Sequence, residues 1–154
     1  MNVTLRRAAM DDAQLLWDMQ RAAFRALYER YRDDQTSPYT EPLEKTRARL
    51  AQPVTHYYVI LADGQPVGGI RIRDFGPEKD KILGPLYVLP ERRGEGIAQR
   101  AIRLAEDIHG GEGWFLDTIE QEKGNCHLYE KLGYRRTGGS HAVNERITLV
   151  DYQK

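Results

Sequence analysis

Two arginines and two glycines lie close together in the segment Arg92-Arg93-Gly94-Glu95-Gly96. The apolar run Leu86–Leu89 precedes this segment and is typical of a buried strand, and apolar residues with helical spacing follow it from Ile97 onward. A strand, a glycine turn and a helix start together present backbone N–H groups and a positive helix end to an anion. Arginine adds forked donors that suit phosphate oxygens. The segment therefore predicts a site for a phosphate-bearing ligand.

Two common kinds of phosphate site fit this turn poorly. A nucleoside-triphosphate loop requires Gly-Lys followed by Ser or Thr, and the sequence contains neither tripeptide. A dinucleotide fingerprint requires a third glycine, but Gln99 follows Gly94 and Gly96 at that position. It also requires parallel βαβ units, whereas the segments before this turn predict hairpins.

The hydrophobic periodicity predicts the elements that must position the turn. The predicted elements are a strand at 2–7, a helix reaching about Tyr31, a helix at 41–51, strands at 56–61, 67–73 and 82–89, a helix from Ile97 to about Ile108, a strand at 114–119, a helix at 124–132, and strands at 134–136 and 146–152. We expect loops at 32–40 and 138–145, with Thr40 capping the second helix and Pro42 in its first turn. This order predicts an α/β (α+β) fold with one mostly antiparallel sheet, in a single domain at 1–154.

The composition argues against several classes of binding partner. Lys plus Arg and Asp plus Glu both total 23, so the net charge is zero. The chain therefore lacks the basic surplus of a nucleic-acid binder. Cys126 is the only cysteine, which predicts no internal disulfide and a reducing compartment. No run resembles a signal peptide or a membrane span, so we expect a cytoplasmic protein without a membrane partner. The histidines lack metal-ligand spacing, and no metal is predicted.

Two motifs in the chain resemble those of one enzyme superfamily. The segment Arg93-Gly94-Glu95-Gly96-Ile97-Ala98, after Val88-Leu89-Pro90, matches the Arg/Gln-x-x-Gly-x-Gly/Ala signature of the GCN5-related N-acetyltransferases (GNAT), and Leu128-Tyr129-Glu130-Lys131-Leu132-Gly133-Tyr134 resembles their second motif. With the order of elements, the resemblance covers nearly the whole chain. It implies a sheet of about six to seven strands flanked by about four helices, splayed between the fourth and fifth strands.

The resemblance implies that acetyl-CoA is the co-substrate. The turn would bind its pyrophosphate through the backbone of Arg93, Gly94, Glu95, Gly96, Ile97 and Ala98, with Arg92 at the rim. The main chain of Leu86, Tyr87 and Val88 would run beside the pantetheine arm, with an N–H near Val88 polarising the thioester carbonyl. Many relatives carry a pantetheine-contacting asparagine where this chain has Glu122; either Asn125 replaces it or the contact is absent.

The resemblance also assigns catalytic roles. Tyr129 matches a tyrosine that protonates the departing CoA thiolate. A tyrosine that only packs on the inner face of its helix would give the same sequence pattern. Asp117 occupies a strand position where some relatives carry the general base for the amine. The strand at 82–90 contains no acid, which favours Asp117, but a water relay, Glu120, or an Asp117 paired with a neighbouring arginine remain alternatives.

The acceptor site would lie against the first two helices and their connection. The candidate residues there are Tyr28, Tyr31, Arg32 and Tyr39, with 138–145 as the opposite wall. The aromatic groups, together with the carboxylates of Asp33 and Asp34 in the same loop, suit an amine on a small molecule or peptide. The predicted reaction is direct transfer of an acetyl group from acetyl-CoA to a primary amine by a monomer or homodimer. The alternative is a catalytically silent acyl-CoA-binding sensor.

Overall fold

The structure, a computed structural model, describes all 154 residues. The strands are β1 Val3–Arg7, β2 Thr55–Ala62, β3 Gln65–Arg73, β4 Lys81–Val88, β5 Trp114–Ile119, β6 Arg135–Ala142 and β7 Thr148–Gln153. The helices are α1 Ala13–Tyr31, α2 Leu43–Ala51, α3 Ile97–His109 and α4 Lys123–Lys131. No helix is both long enough and apolar enough to span a membrane.

One seven-stranded sheet, in the order β1-β2-β3-β4-β5-β7-β6, organises the molecule. All neighbours are antiparallel except β4 and β5, which are parallel and pair only through Lys81–Trp114 and Ile82–Phe115. Beyond these pairs the two strands diverge, which confirms the expected mixed, splayed sheet. A bulge bends β4 at this point, since Leu83 and Leu86 lie opposite Ile72 and Ile70 of β3.

The two faces of the sheet carry separate hydrophobic clusters. On one face α3 buries Ala101, Ile102 and Ala105 in a cluster that includes Trp114 and Leu116 of β5. On the other face Leu16, Met19 and Ala23 of α1 pack with Tyr57, Val59 and Tyr87. Alternation along β2 divides its residues between the clusters, because successive side chains of a strand point to opposite faces. Burying each large apolar side chain stabilises the fold by about 1.5–3 kcal/mol.

The predicted start of the second helix is wrong. The helix begins at Leu43, and Pro42 occupies the N-cap position without a side-chain cap. Thr40 lies in a separate 3₁₀ turn, Pro38–Thr40, where its hydroxyl donates to the carbonyl of Ser37 at 3.0 Å. The hydroxyl is therefore bonded within the connecting loop, and Thr40 lies two residues before the N-cap and does not cap the helix.

The loop predicted at 138–145 is largely strand. β6 extends to Ala142, and its pairing with β7 resumes at Ser140 after a register shift beyond Arg136. Most of its side chains are exposed, so no hydrophobic alternation marks it in the sequence. Backbone hydrogen bonds to β7 form this edge strand, and such bonds need no particular side chains.

Candidate active site

A cavity of about 470 Å³ opens where β4 and β5 diverge. It lies between the C-terminal half of α1, the loop after α1, strands β3 to β5 and helix α4. A cavity of this size accommodates a small molecule. Among its lining residues are the two candidates for proton transfer, Asp117 and Tyr129.

Asp117 projects into this cavity because of alternation along β5. Trp114 and Leu116 are buried in the core on the α3 side, so Phe115 and Asp117 face the other way. The Asp117 carboxylate contacts solvent in the cavity, yet the surrounding protein atoms desolvate it and raise its pKa. The charge of Asp151, its register partner on β7, raises the pKa further, while Arg73 opposes this shift. Asp117 forms no ion pair within 4.0 Å, so its expected alternative role in a salt bridge is absent.

Tyr129 reaches the same cavity from α4. Its residue surface is 8% exposed, and its ring contacts the rings of Tyr134 and Tyr152 at centroid distances of 6.0 and 6.2 Å. No protein group bonds to its hydroxyl. Burial raises the pKa of Tyr129, and the charge of Asp117 raises it further, so the phenol keeps its proton at neutral pH. Tyr129 is thus both packed in the core and available to the cavity.

The edge of β4 facing the cavity has free main-chain donors. The N–H of Leu89 donates to Val67 on β3 at 2.8 Å, and N–H groups alternate in direction along a strand. The N–H groups of Val88 and Leu86 therefore point into the gap, whereas that of Tyr87 points to β3. The side chain of Tyr87 is buried, with its hydroxyl donating to the carbonyl of Leu16 at 3.1 Å.

The glycine turn presents a row of unpaired donors. The main-chain N–H groups from Gly94 to Gln99 donate to no protein acceptor; the first such bond is from Arg100 to Gly96. Gly94 and Gly96 have φ of 80° and 77°, a conformation that favours glycine. Because α3 begins at Ile97, its positive end adds to these donors.

The side chains of the two arginines beside this turn already have protein partners. Arg92 donates to the carboxylate of Glu95 at 3.0 and 3.2 Å, and Arg93 donates to the carbonyl of Ala23 on α1. These bonds use only part of each guanidinium, and the expectation that the two side chains also supply donors to phosphate stays a prediction. The unpaired backbone N–H groups of the turn are a second set of donors.

Three polar residues near α4 have different surroundings. Asn125 lines the cavity, and its side-chain amide has no protein partner. Glu122 accepts hydrogen bonds from the hydroxyl of Tyr31 at 2.6 Å and from Arg30 at 2.7 Å, which connects α4 to α1. Glu120 pairs with Arg136 at 2.7 Å. Its carboxylate is occupied, so it is a weaker candidate base than Asp117.

The predicted acceptor wall is only partly present. Tyr28 and Tyr31 line the cavity, whereas Arg32 and Tyr39 do not. Tyr39 stacks on Tyr28 at 5.1 Å, and Arg32 lies over the Tyr28 ring at 5.5 Å, so both support that tyrosine from outside. The opposite wall consists of Ile147 and Leu149 rather than of 138–145.

The sequence interpretation missed three arginines that line the cavity, Arg49 on α2 and Arg71 and Arg73 on β3. Arg49 forms a two-fold ion pair with Glu41 at 2.7 and 2.9 Å. A signal for the other two was present, because Ile70-Arg71-Ile72-Arg73 places two charges on one face of a central strand. Such a face is normally buried, so charges there indicate a cavity or a site. No group of three or more His, Cys, Asp or Glu side chains is arranged to hold a metal ion.

Solved structures share this fold over nearly the whole chain. The PaiA N-acetyltransferase of Thermoplasma acidophilum, in complex with coenzyme A, is 17% identical with a TM-score of 0.76 and 100% of both chains covered. An acetyltransferase from Thermus thermophilus is 18% identical, with a TM-score of 0.74 and coverage of 100% and 97%. The spermidine N-acetyltransferase of Vibrio cholerae, in complex with CoA and spermine, is 18% identical, with a TM-score of 0.75 and coverage of 97% and 93%. At these identities the likeness shows the fold alone.

The sequence itself matches one family model. No curated protein matches the chain in sequence. The model of the acetyltransferase (GNAT) family, in contrast, matches residues 17–134, from α1 through both motifs to the residue before β6. Since this match covers most of the chain, and the splayed sheet and glycine turn are those that the motifs predicted, the chain belongs to the acetyltransferase (GNAT) family.

Proposed function

We propose that the protein is an acetyl-CoA-dependent N-acetyltransferase that acts on a primary amine by direct attack. The observation that carries this proposal is that one cavity unites an unpaired carboxylate, an unpaired tyrosine hydroxyl and the open edge of β4. Family membership supports the acetyl transfer. The CoA complexes among the structures with this fold support acetyl-CoA as the donor.

Acetyl-CoA would bind along the path that leads from the glycine turn to the cavity. Its pyrophosphate accepts from the N–H groups between Gly94 and Ala98, next to the positive end of α3. The pantetheine arm follows the open edge of β4 at Leu86 and Val88, and Asn125 contacts it from α4. The Val88 N–H then donates to the thioester carbonyl, and one such donor lowers the barrier by about 3 kcal/mol.

The two unpaired side chains would move the protons of the reaction. Asp117 takes a proton from the ammonium group of the acceptor, since a protonated amine has no lone pair for attack. The amine then adds to the thioester carbonyl, and the tetrahedral intermediate collapses by breaking the carbon–sulfur bond. Tyr129 donates its phenolic proton to the departing thiolate and recovers a proton from the acetylated nitrogen, while Asp117 releases its proton to solvent, so the products are the N-acetylated amine and CoA. No covalent intermediate with the enzyme is involved.

The test measures binding and turnover separately. Acetyl-CoA binding is followed as a thermal shift, and turnover as release of free CoA thiol with a panel of primary amines. The proposal predicts a thermal shift with acetyl-CoA and amine-dependent thiol release. Binding without release across a wide panel would favour the acyl-CoA sensor, and absence of binding would overturn both interpretations.

A further inference from the structure

Two cavity arginines on β3 have no carboxylate partner. Arg71 is only 6% exposed, and its guanidinium donates to Thr55 Oγ1 at 3.2 Å and to Gln52 Oε1 at 2.6 Å, which are both neutral acceptors. Arg73 has a buried Nε without any hydrogen-bond partner. Neither arginine forms an ion pair within 4.0 Å. A buried charge without a counter-charge is costly, so this arrangement indicates a site completed by an external anion.

Two of the three carboxylates that line the cavity, Glu41 and Asp33, are engaged elsewhere. Glu41 accepts from Arg49 through both oxygens, and Lys45 lies 3.2 Å from it. Asp33 accepts from the backbone N–H groups of Gln35 and Thr36 within its own turn. Burial and the charges of Arg49 and Arg73 lower the pKa of Arg71 to about 10, which still leaves it charged at neutral pH. Neither arginine on this side of the cavity therefore has a carboxylate bonded to it, and Asp117 is the one cavity carboxylate without a partner.

Asp117 lies on the opposite side of the same cavity. The cavity therefore has positive charge at the two arginines and negative charge at Asp117. Arg73 pairs with Ile82, which pairs with Phe115, so the backbones of β3 and β5 are about 10 Å apart at this level. Asp117 lies two residues beyond Phe115 on β5. Arg73 and Asp117 form no ion pair within 4.0 Å, so an acceptor whose anionic and amino groups are a few bonds apart can meet both.

We infer that the acceptor is a small zwitterion, an amine whose carboxylate or phosphate binds to Arg71 and Arg73 while its amino group meets Asp117. This inference rests on the proposed acetyltransferase function. Arginine suits both kinds of anion because its planar fork pairs with carboxylate and phosphate oxygens. A polyamine, the substrate class named for the Vibrio cholerae enzyme, would instead place a second ammonium group against the two arginines.

The test uses pairs of acceptors that differ only in the anionic group. Lysine is compared with cadaverine, phenylalanine with phenethylamine, and O-phosphoethanolamine with ethanolamine, with spermidine as an additional amine. We expect a higher kcat/KM for the anionic member of a pair, and the preferred pair distinguishes carboxylate from phosphate. Equal or better turnover of the amines that lack the anionic group, or of spermidine, would overturn the inference while leaving the acetyltransferase function intact.

The variant Arg73→Gln tests the site directly. It should lower kcat/KM for the anionic acceptor by about 10- to 100-fold, mainly through KM, because a charged hydrogen bond is lost. The matching amine without the anionic group should change by less than about two-fold. Arg47→Gln is the control, since Arg47 lies on the exposed side of α2 and pairs with Glu44. Equal losses for both members of a pair would contradict the inference.

A binding measurement keeps the inference testable if no amine is turned over. In the presence of CoA, the thermal shifts caused by N-acetyl-lysine and by N-acetylcadaverine are compared. A larger shift with the carboxylated compound, abolished in Arg73→Gln and retained in Arg47→Gln, would support the anion site even if the enzyme assignment fails. Equal shifts would overturn it.

Discussion

Asp117 and Tyr129 have pKa values displaced in the direction that their proposed roles require. Burial raises the pKa of Asp117, which gives the carboxylate more affinity for the proton of an ammonium group. Burial and the charge of Asp117 raise the pKa of Tyr129, so the phenol remains protonated until a thiolate forms beside it. Neither polar group has a protein partner that would compete with substrate. The surroundings of these two residues therefore support the proposal of one base and one acid in a single cavity.

Asp117→Asn should lower kcat/KM by about 10²- to 10⁴-fold, because the amine loses its general base. In the wild type, activity is lost as pH falls through the raised pKa of Asp117, and the variant should lack this acidic limb. The measurement is kcat/KM from about pH 4 to pH 9. Asp107→Asn on the exposed side of α3 is the control, and an unchanged limb in Asp117→Asn would contradict the role.

The melting temperature provides a second readout for the same variant. The folded-state pKa of Asp117 lies above its unfolded value, so at neutral pH the ionised carboxylate opposes folding. A neutral asparagine removes that cost. We therefore expect Asp117→Asn to melt no lower than the wild type at neutral pH, whereas a residue with a mainly structural role would melt lower.

Tyr129→Phe should lower kcat by about 10²-fold or more while acetyl-CoA binding is unchanged. The phenyl ring retains the contacts with Tyr134 and Tyr152, so only the proton is removed. Because the pKa of Tyr129 is raised above 10, this tyrosine contributes no basic limb below about pH 10 in the wild type. Single-turnover rates and thermal shifts separate the two effects. Unchanged turnover would assign Tyr129 to packing alone.

At the scale of elements, the turn before α3 and the open edge of β4 would bind acetyl-CoA through their backbone under the proposed function. The unpaired N–H groups from Gly94 to Gln99 depend on the left-handed conformations of Gly94 and Gly96 rather than on any side chain. The β4 edge is open because β5 leaves it after Ile82. Alanine substitution of most residues here would therefore leave the interactions intact, and glycine positions are the informative ones.

Gly96→Ala should weaken acetyl-CoA binding by about tenfold, since a left-handed alanine costs about 1–2 kcal/mol and shifts the N–H donors. A Cβ at Gly96 meets no atom within 4 Å, so the fold is retained. Gly64→Ala is the matched control, with φ of 82° and equal open space in the β2–β3 hairpin. It should lose similar stability without losing affinity, which calorimetry would measure. Equal affinity losses in both variants would contradict the assignment.

At the scale of the whole molecule, the sheet consists of two parts that are barely joined by strand pairing. Strands β1 to β4 form one part and β5, β7 and β6 the other, connected through two residue pairs of β4 and β5. The hydrophobic cluster under α3 joins them on one face. On the other face, the bonds from Tyr31 and Arg30 of α1 to Glu122 span the cavity. These contacts hold the two sides of the site at a defined separation.

Tyr31→Phe should lower the free energy of unfolding by about 1 kcal/mol, because the hydroxyl bond to Glu122 is lost while the ring stays packed. For a chain of this size the melting temperature should fall by about 2–4 °C. Tyr39→Phe is the control, since no protein hydrogen bond to the Tyr39 hydroxyl is present. Differential scanning calorimetry measures both variants, and equal melting temperatures would show that the Tyr31 bond contributes nothing.

Much of the fold could be predicted from local patterns. The helices α1 and α3, the strands β2 to β5 and the turn at Gly94–Gly96 follow from periodicity and turn residues that act over a few positions. Only the start of the edge strand β6 was predicted, at 134–136, because its remaining exposed residues carry no pattern and its pairing with β7 forms it. The start of α2 was missed because Thr40 belongs to the separate 3₁₀ turn Pro38–Thr40, and the helix begins only after Pro42.

The sequence by itself determined the glycine turn, the second motif at Tyr129 and, through them, the family. Only the tertiary structure decided which side chains are free and which are paired. It pairs Arg93 with Ala23 of α1, and it leaves Asp117, Tyr129 and Arg73 unpaired in one cavity. The physical reason is that a charge acquires its role from partners distant in the chain. Those partners are brought together only when the sheet forms and splays.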